Sequence, residues 1–196
     1  MIKFCYSQKI ENLVLKDYIL PKKSAVVSQM IEEELVEVLL QPENDFITTQ
    51  IEFISKKWNE AENKFLTELG KFYSKKLESP DLKCYLIRLD TFPYNYKSDS
   101  EERWFTAPLF KNPAERNRVI MHELCHYFQP IDLPRPIKEA MPVILNDHES
   151  FGMYSEDRGN QEPEEQKWRK IIWDIYKNGG NFNDLADYIK KDSLKK

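Results

Sequence analysis

The sequence has little cysteine, little glycine and no excess of basic residues, and each shortage excludes a class of protein. Its three cysteines, Cys5, Cys84 and Cys125, are odd in number and far apart, so they predict no disulfide framework. Five glycines, without a GxGxxG or GxxxxGK[ST] pattern, exclude the glycine-rich loops that bind nucleotides. The net charge is −4 and the lysines are scattered, so we expect no nucleic-acid partner.

Long apolar runs are also missing. No segment approaches the roughly 18 apolar residues of a membrane span, and the first residues contain no apolar signal core. We therefore expect no membrane partner and a location in the reducing cytoplasm. Hydrophobic residues still make up 41% of the chain, which is enough for a folded core.

The pattern along the chain predicts helices first, then a little sheet, then helices. A helix is predicted over 26–39, and a longer one over 45–78 from an apolar stripe at steps of three or four residues. We interpret that stripe as core-facing, with a coiled-coil dimer as the alternative. Its members are Ile47, Ile51, Ile54, Trp58, Ala61, Phe65, Leu69 and Phe72.

Two strands and four further helices complete the prediction. The strands are 82–90 and 103–110, and the helices are 113–129, 137–147, 163–178 and 182–191. This order is typical of an α+β fold that is mostly helical with a small antiparallel sheet.

The most informative string is His122-Glu123-Leu124-Cys125-His126, an HExxH motif on a predicted helix. Residues at i and i+4 share one helix face, so both imidazoles can bind one metal ion. Glu123 lies to the side of that face, where it can take a proton from metal-bound water. Two imidazoles and a carboxylate suit Zn²⁺, and an open fourth position makes such a site catalytic.

This motif resembles the zincin metallopeptidases, and within them the gluzincins, over about residues 80–150. The resemblance implies a third zinc ligand from a glutamate on the next helix, for which Glu139, followed by the small Ala140, is the matching position. His148 is the alternative third ligand, with Asp147 and Glu149 as further rivals. Pro142 conflicts with an uninterrupted helix around Glu139.

The resemblance also implies a Tyr or His that stabilises the oxyanion, for which His148 and Tyr154 are the candidates. Asn146 and Asp147 are candidates to accept a proton from a ligand imidazole, or to cap a helix. Cys125 is expected to be a packed residue, because a helix does not easily place i, i+3 and i+4 on one metal.

The sequence thus predicts an N-terminal helical region, residues 1–80, packed on a zincin-like catalytic domain, residues 81–196. The expected function is zinc-dependent hydrolysis of a peptide or protein substrate. The alternative is a non-catalytic or regulatory zinc-binding interaction protein with the same fold. The intact Glu123 favours the enzyme, because a structural zinc site does not need that residue.

Overall fold

A computed structural model describes most of the chain. The described residues are 2–22, 45–89, 91–95, 102–152 and 155–193. The predicted helix over 26–39 and the candidate Tyr154 lie outside them.

The contacts between residues divide the chain into two compact units, each made of two segments. The first unit comprises Met1–Asn59 and Pro80–Asn112, and the second comprises Glu60–Ser79 and Pro113–Lys196. The sequence predicted a boundary near residue 80, whereas these units alternate along the chain.

The first unit contains a four-stranded sheet. Its strands are β1 (Ile2–Cys5), β2 (Leu82–Ile87), β3 (Tyr94–Asn95) and β4 (Trp104–Pro108), in the order β1-β2-β4-β3. The strand β2 is parallel to both β1 and β4, and only the β3–β4 pair is antiparallel.

The predicted antiparallel sheet is therefore wrong, because the sheet is mixed. The two predicted strands are present but run parallel, joined by the segment 88–103. That segment is long enough for the crossover that a parallel pair requires. The strand β1 was not predicted, although its buried Ile2 and Phe4 alternate with the exposed Lys3 as a strand requires.

A short helical segment follows β1 in the first unit. Helix α1 (Gln8–Val14) begins after Ser7, whose hydroxyl accepts a hydrogen bond from the Ile10 N–H at 3.4 Å. Val14, its last residue, and Leu15 directly after it pack in one buried cluster with Ile87 at the end of β2 and Leu89 just beyond it. The same region contains a buried carboxylate, Glu11.

The long predicted helix is present as α2 (Asp45–Tyr73). The predicted apolar stripe is largely buried, with Ile51 and Ala61 only partly so. The helix ends one turn before residue 78, because Ser74 has a φ of +53°, a left-handed conformation that stops a helix. Residues 45–59 of α2 belong to the first unit and the remainder to the second.

The second unit is helical. Its helices are α3 (Pro113–Phe128), α4 (Arg135–Ala140), a 3₁₀ helix (Met141–Asn146), α5 (His148–Phe151), α6 (Pro163–Lys177) and α7 (Phe182–Ser193). Helix α6 packs against both α4 and the 3₁₀ helix.

The conflict at Pro142 is resolved by a change of helix type. Helix α4 ends at Ala140, and Pro142 lies in the first turn of the 3₁₀ helix, where its missing N–H costs no helical hydrogen bond. The α+β class is confirmed, since the chain is mostly helical with one small sheet. None of the described helices is long and apolar enough to cross a membrane.

Candidate metal centre

The HExxH motif lies in the last two turns of α3, where the helix places both histidines on one face. The Nε2 atoms of His122 and His126 are 3.1 Å apart. The His126 side chain is 4% exposed and that of His122 is 18% exposed, so the pair is accessible from the His122 side. The helical spacing is the reason that these two nitrogens meet.

Helix α4 brings a carboxylate to the same point. Glu139 Oε2 is 3.6 Å from His126 Nε2. One donor atom from each of His122, His126 and Glu139 can be chosen so that all three lie within 4.8 Å of one another. The structure thus groups the three residues that the sequence predicted as metal ligands.

A buried carboxylate orients the first histidine. Asp157 is 1% exposed, and its Oδ2 is 2.7 Å from His122 Nδ1. Burial alone would raise the pKa of Asp157, but the hydrogen bond from His122 and the positive charges of His122 and Arg169 outweigh it and hold that pKa well below its usual range. Asp157 is therefore an acceptor, and the Nδ1 of His122 must donate the proton.

The backbone and side chain of Asp157 are themselves held in place. Arg169 donates to the Asp157 carbonyl oxygen and, at 3.0 Å, to its Oδ1. The Asn146 side chain bonds the same backbone twice, donating to the carbonyl oxygen at 2.9 Å and accepting from the N–H at 2.7 Å. Asn146 thus supports the carboxylate that contacts His122, and does not contact the imidazole.

A buried amide orients the second histidine. Gln129 Nε2 donates to the Lys138 carbonyl oxygen at 2.9 Å, which turns the Gln129 Oε1 toward His126 Nδ1 at 3.2 Å. Because that oxygen can only accept, His126 Nδ1 must donate. The amide also links His126 to the residue that precedes Glu139 on α4.

These two hydrogen bonds leave the two Nε2 atoms facing each other with a carboxylate beside them. In the neutral imidazoles both Nε2 atoms are acceptors, so the pair needs a shared proton or a cation. Around a tetrahedral Zn²⁺ with bonds of about 2.0–2.1 Å, ligand atoms lie roughly 3.3 Å apart. Two of the three separations, 3.1 and 3.6 Å, are close to this value, and all three donor atoms lie within 4.8 Å of one another.

The pKa values of the two imidazoles shift in opposite directions. Burial and then the neighbouring His122 lower the pKa of His126 to about 3, so the His126 imidazole is neutral. Burial also opposes protonation of His122, but the hydrogen bond and charge of Asp157 raise the pKa of His122 above its ordinary value. In the absence of a cation, a shared proton therefore belongs to His122.

Glu123 lies between the histidines in sequence and is buried, with 7% of its surface exposed. Burial raises the pKa of Glu123 to about 8; His122 opposes this shift, and the negative charges of Glu139 and Asp157 add to it. A divalent cation beside it would lower this pKa, because a metal is the strongest local charge in such a site. With such a cation beside it, Glu123 would be a group able to exchange a proton near neutral pH.

The other candidate residues lie outside the group of His122, His126 and Glu139. His148 begins α5, is exposed, and is not a member of the group formed by the predicted ligands. Asp147 accepts hydrogen bonds from Ser150 and Tyr176 instead of an imidazole. Cys125 is 1% exposed, and burial raises the pKa of its thiol well above the usual range, so it is a packed neutral residue.

A cavity of about 660 Å³ opens beside the group, a volume typical of ligand sites. Both His122 and Glu139 line it, together with Arg118 from the preceding turn of α3 and with residues 155–160. The segment around Asp157 therefore forms one wall of the cavity and also holds His122.

Sequence reasoning missed Asp157, and little in the sequence could have revealed it. The residue lies 35 positions after His122, in a polar segment without periodicity. Its neighbours Glu156 and Arg158 are charged as well, so its own charge does not single it out. The only available signal was the general requirement that a ligand imidazole donate its second nitrogen to a carboxylate or carbonyl.

Comparison of the chain with protein-family models, with curated proteins and with solved structures found no match. The functional argument therefore depends on the geometry of the site.

Proposed function

We propose that this protein is a zinc-dependent metallopeptidase with a zincin-like catalytic arrangement and a peptide or protein substrate. The observation that supports this most strongly is the convergence of His122, His126 and Glu139 beside a cavity, with both Nδ1 atoms engaged by fixed acceptors. Two histidines and a glutamate are one of the donor sets found in catalytic zinc sites.

When bound, Zn²⁺ polarises the scissile carbonyl and lowers the pKa of the attacking water. Glu123 would be the group that accepts the proton of that water and passes it to the leaving amine. Asp157 and Gln129 keep the two imidazoles in the tautomer that offers Nε2, and the carboxylate of Glu139 completes the ligand set.

We further propose a reducing, cytoplasmic location for this activity. Cys5, Cys84 and Cys125 form no disulfide with one another, and Cys84 and Cys125 are buried. Free buried thiols are the usual state of cysteine in reducing compartments.

The test is the substitution Glu123→Gln in the zinc-loaded full chain, assayed on a diverse peptide mixture by mass spectrometry. We expect cleavage by the wild type and a loss of about 10²–10⁴-fold in the variant, since general acid–base catalysis contributes that much. Zinc content should stay unchanged, because Glu123 is not a ligand. The exposed Glu149 provides a matched control, Glu149→Gln, which should cleave like the wild type.

Absence of cleavage, or equal cleavage by the wild type and Glu123→Gln, would contradict the peptidase proposal. If zinc were bound in both proteins, that result would favour the non-catalytic zinc-binding interaction protein.

A further inference from the structure

Arg118 occupies the metal-binding face of α3. It precedes His122 by four residues, as His122 precedes His126, so the three side chains project from one helix face. Arg118 lines the same cavity as His122 and Glu139, and its side chain is 30% exposed. Its guanidinium is therefore accessible to a molecule that approaches the metal centre.

The contacts of Arg118 leave its hydrogen-bonding capacity unused. Its Nη1 is 3.6 Å from Asp157 Oδ2, which is longer than a hydrogen bond. The same Oδ2 already accepts from His122, and Oδ1 accepts from Arg169. Within the described part of the chain, Arg118 forms no hydrogen bond, and Asp157 is bound without it.

The other charged side chains of the cavity are engaged elsewhere. Arg158 Nε donates to Glu156 Oε2 at 3.0 Å, and a backbone N–H donates to Glu165 Oε1 at 2.8 Å. Glu115 is likewise engaged by another group of the protein. Both arginines line the cavity, but they differ in their hydrogen bonds. The guanidinium of Arg158 already donates to Glu156, whereas all guanidinium N–H groups of Arg118 are available to a ligand.

The distance between Arg118 and His122 along the helix indicates which part of a bound peptide would lie beside Arg118. Four residues of helix rise about 6 Å, and an extended peptide advances about 3.3 Å per residue. A substrate group bound by Arg118 would thus belong to a residue one or two positions from the scissile bond. Carboxylate is the anion of peptides, and guanidinium binds it in a bidentate manner.

We propose that Arg118 binds a substrate carboxylate beside the metal centre, so that the preferred substrates carry a negative charge next to the scissile bond. This inference rests on the proposed peptidase function. The carboxylate has two sources in a peptide, the free C-terminus and an Asp or Glu side chain, which share the chemistry that Arg118 recognises.

Three uncleavable probes distinguish these sources. Each has an N-terminal hydroxamate to bind the zinc, followed by Leu-Ala with a free carboxylate, Leu-Ala amide, or Leu-Asp amide. Their dissociation constants are measured by calorimetry on the zinc-loaded full chain, in the wild type, in Arg118→Gln and in the matched control Arg158→Gln.

We expect at least one carboxylate probe to bind the wild type at least about tenfold tighter than Leu-Ala amide, as charged hydrogen bonds typically do. This preference should disappear in Arg118→Gln and persist in Arg158→Gln, and the probe that shows it identifies the source. Equal binding of all probes, no binding of any, or a preference that survives Arg118→Gln would overturn the inference.

The inference and the proposed function fail separately. Glu123-dependent cleavage without a carboxylate preference would overturn the role of Arg118 alone. An Arg118-dependent preference in a protein that cleaves no peptide would overturn the peptidase proposal alone.

Discussion

Glu11 in the first unit and Asp157 in the second are buried carboxylates that are each hydrogen-bonded by an arginine, and their surroundings differ. In the first unit, Glu11 is fully buried and accepts from Arg88 Nη2 at 2.7 Å and from the Tyr6 hydroxyl at 2.9 Å. Arg88 Nη2 also donates to that hydroxyl at 2.7 Å, so the three side chains bond one another. In the second unit, Asp157 divides its oxygens between Arg169 and His122.

The difference separates an ion pair that joins structural elements from a carboxylate that orients a candidate metal ligand. Within the described residues, the hydrogen bonds of the Glu11 carboxylate come from Tyr6 and Arg88, and burial followed by the Glu11 hydrogen bond raises the pKa of Tyr6 to about 12. The hydrogen bond of Asp157, in contrast, ends on an imidazole whose other nitrogen faces a second histidine and a carboxylate. A buried carboxylate indicates a functional site when its partner has a second donor atom directed into a cavity.

The substitution Asp157→Asn should break this comparison most strongly. We expect zinc affinity to fall about 10–100-fold, because loss of the carboxylate weakens the orientation and basicity of His122. The change is measured by competition with a chelator under native conditions, since the same variant leaves Arg169 with a weaker partner and lowers stability.

The matching change in the first unit is Glu11→Gln. It should leave zinc affinity unchanged and lower the free energy of unfolding by about 3 kcal/mol, because the partly buried Arg88 loses its counter-charge. Asp147→Asn, which removes a carboxylate bonded to Ser150 and Tyr176, is the control within the second unit. Similar losses of zinc affinity in all three variants would show that Asp157 has no specific role.

A smaller effect is expected from Gln129→Leu, which tests the second imidazole. The variant removes the acceptor for His126 Nδ1 and the link to Lys138. We expect zinc affinity to fall about tenfold, the lower end of the range for residues that hydrogen-bond a metal ligand. The exposed Gln161 supplies the control, Gln161→Leu. An unchanged affinity in Gln129→Leu would mean that His126 needs no fixed tautomer.

The smallest effect is expected from Cys125→Ala. Cys125 is buried and is not a member of the group formed by His122, His126 and Glu139, so we expect zinc stoichiometry to stay unchanged. Loss of the packed sulfur should cost about 1 kcal/mol of unfolding free energy, as small core truncations do. A variant that lost zinc while staying folded would instead place the thiol among the ligands.

The sequence predicted the parts of the site that depend on local periodicity. Helix α3 and its two histidines follow from Pro113 at its start and from the i, i+4 spacing, which a helix converts into one face. Glu139 followed from resemblance to a family pattern, and the structure places it beside His126. Its ligand role is still a prediction.

Features that depend on contacts distant in sequence were not predicted. The parallel pairing of β2 with β1 and β4 has no local signature, since alternation gives a strand but not its partner. Asp157 was missed for the same reason, because the fold alone brings residue 157 to His122. The exposed His148 was a candidate on chemical type only.

The most direct test of the account is the metal content of the purified full chain, measured by elemental mass spectrometry after reconstitution at neutral pH. The account predicts about one zinc ion per chain in the wild type, loss of zinc in His126→Ala, and retention in His148→Ala, the matched change at the remaining histidine. Absence of zinc from the wild type, or loss of zinc in His148→Ala but not in His126→Ala, would contradict it.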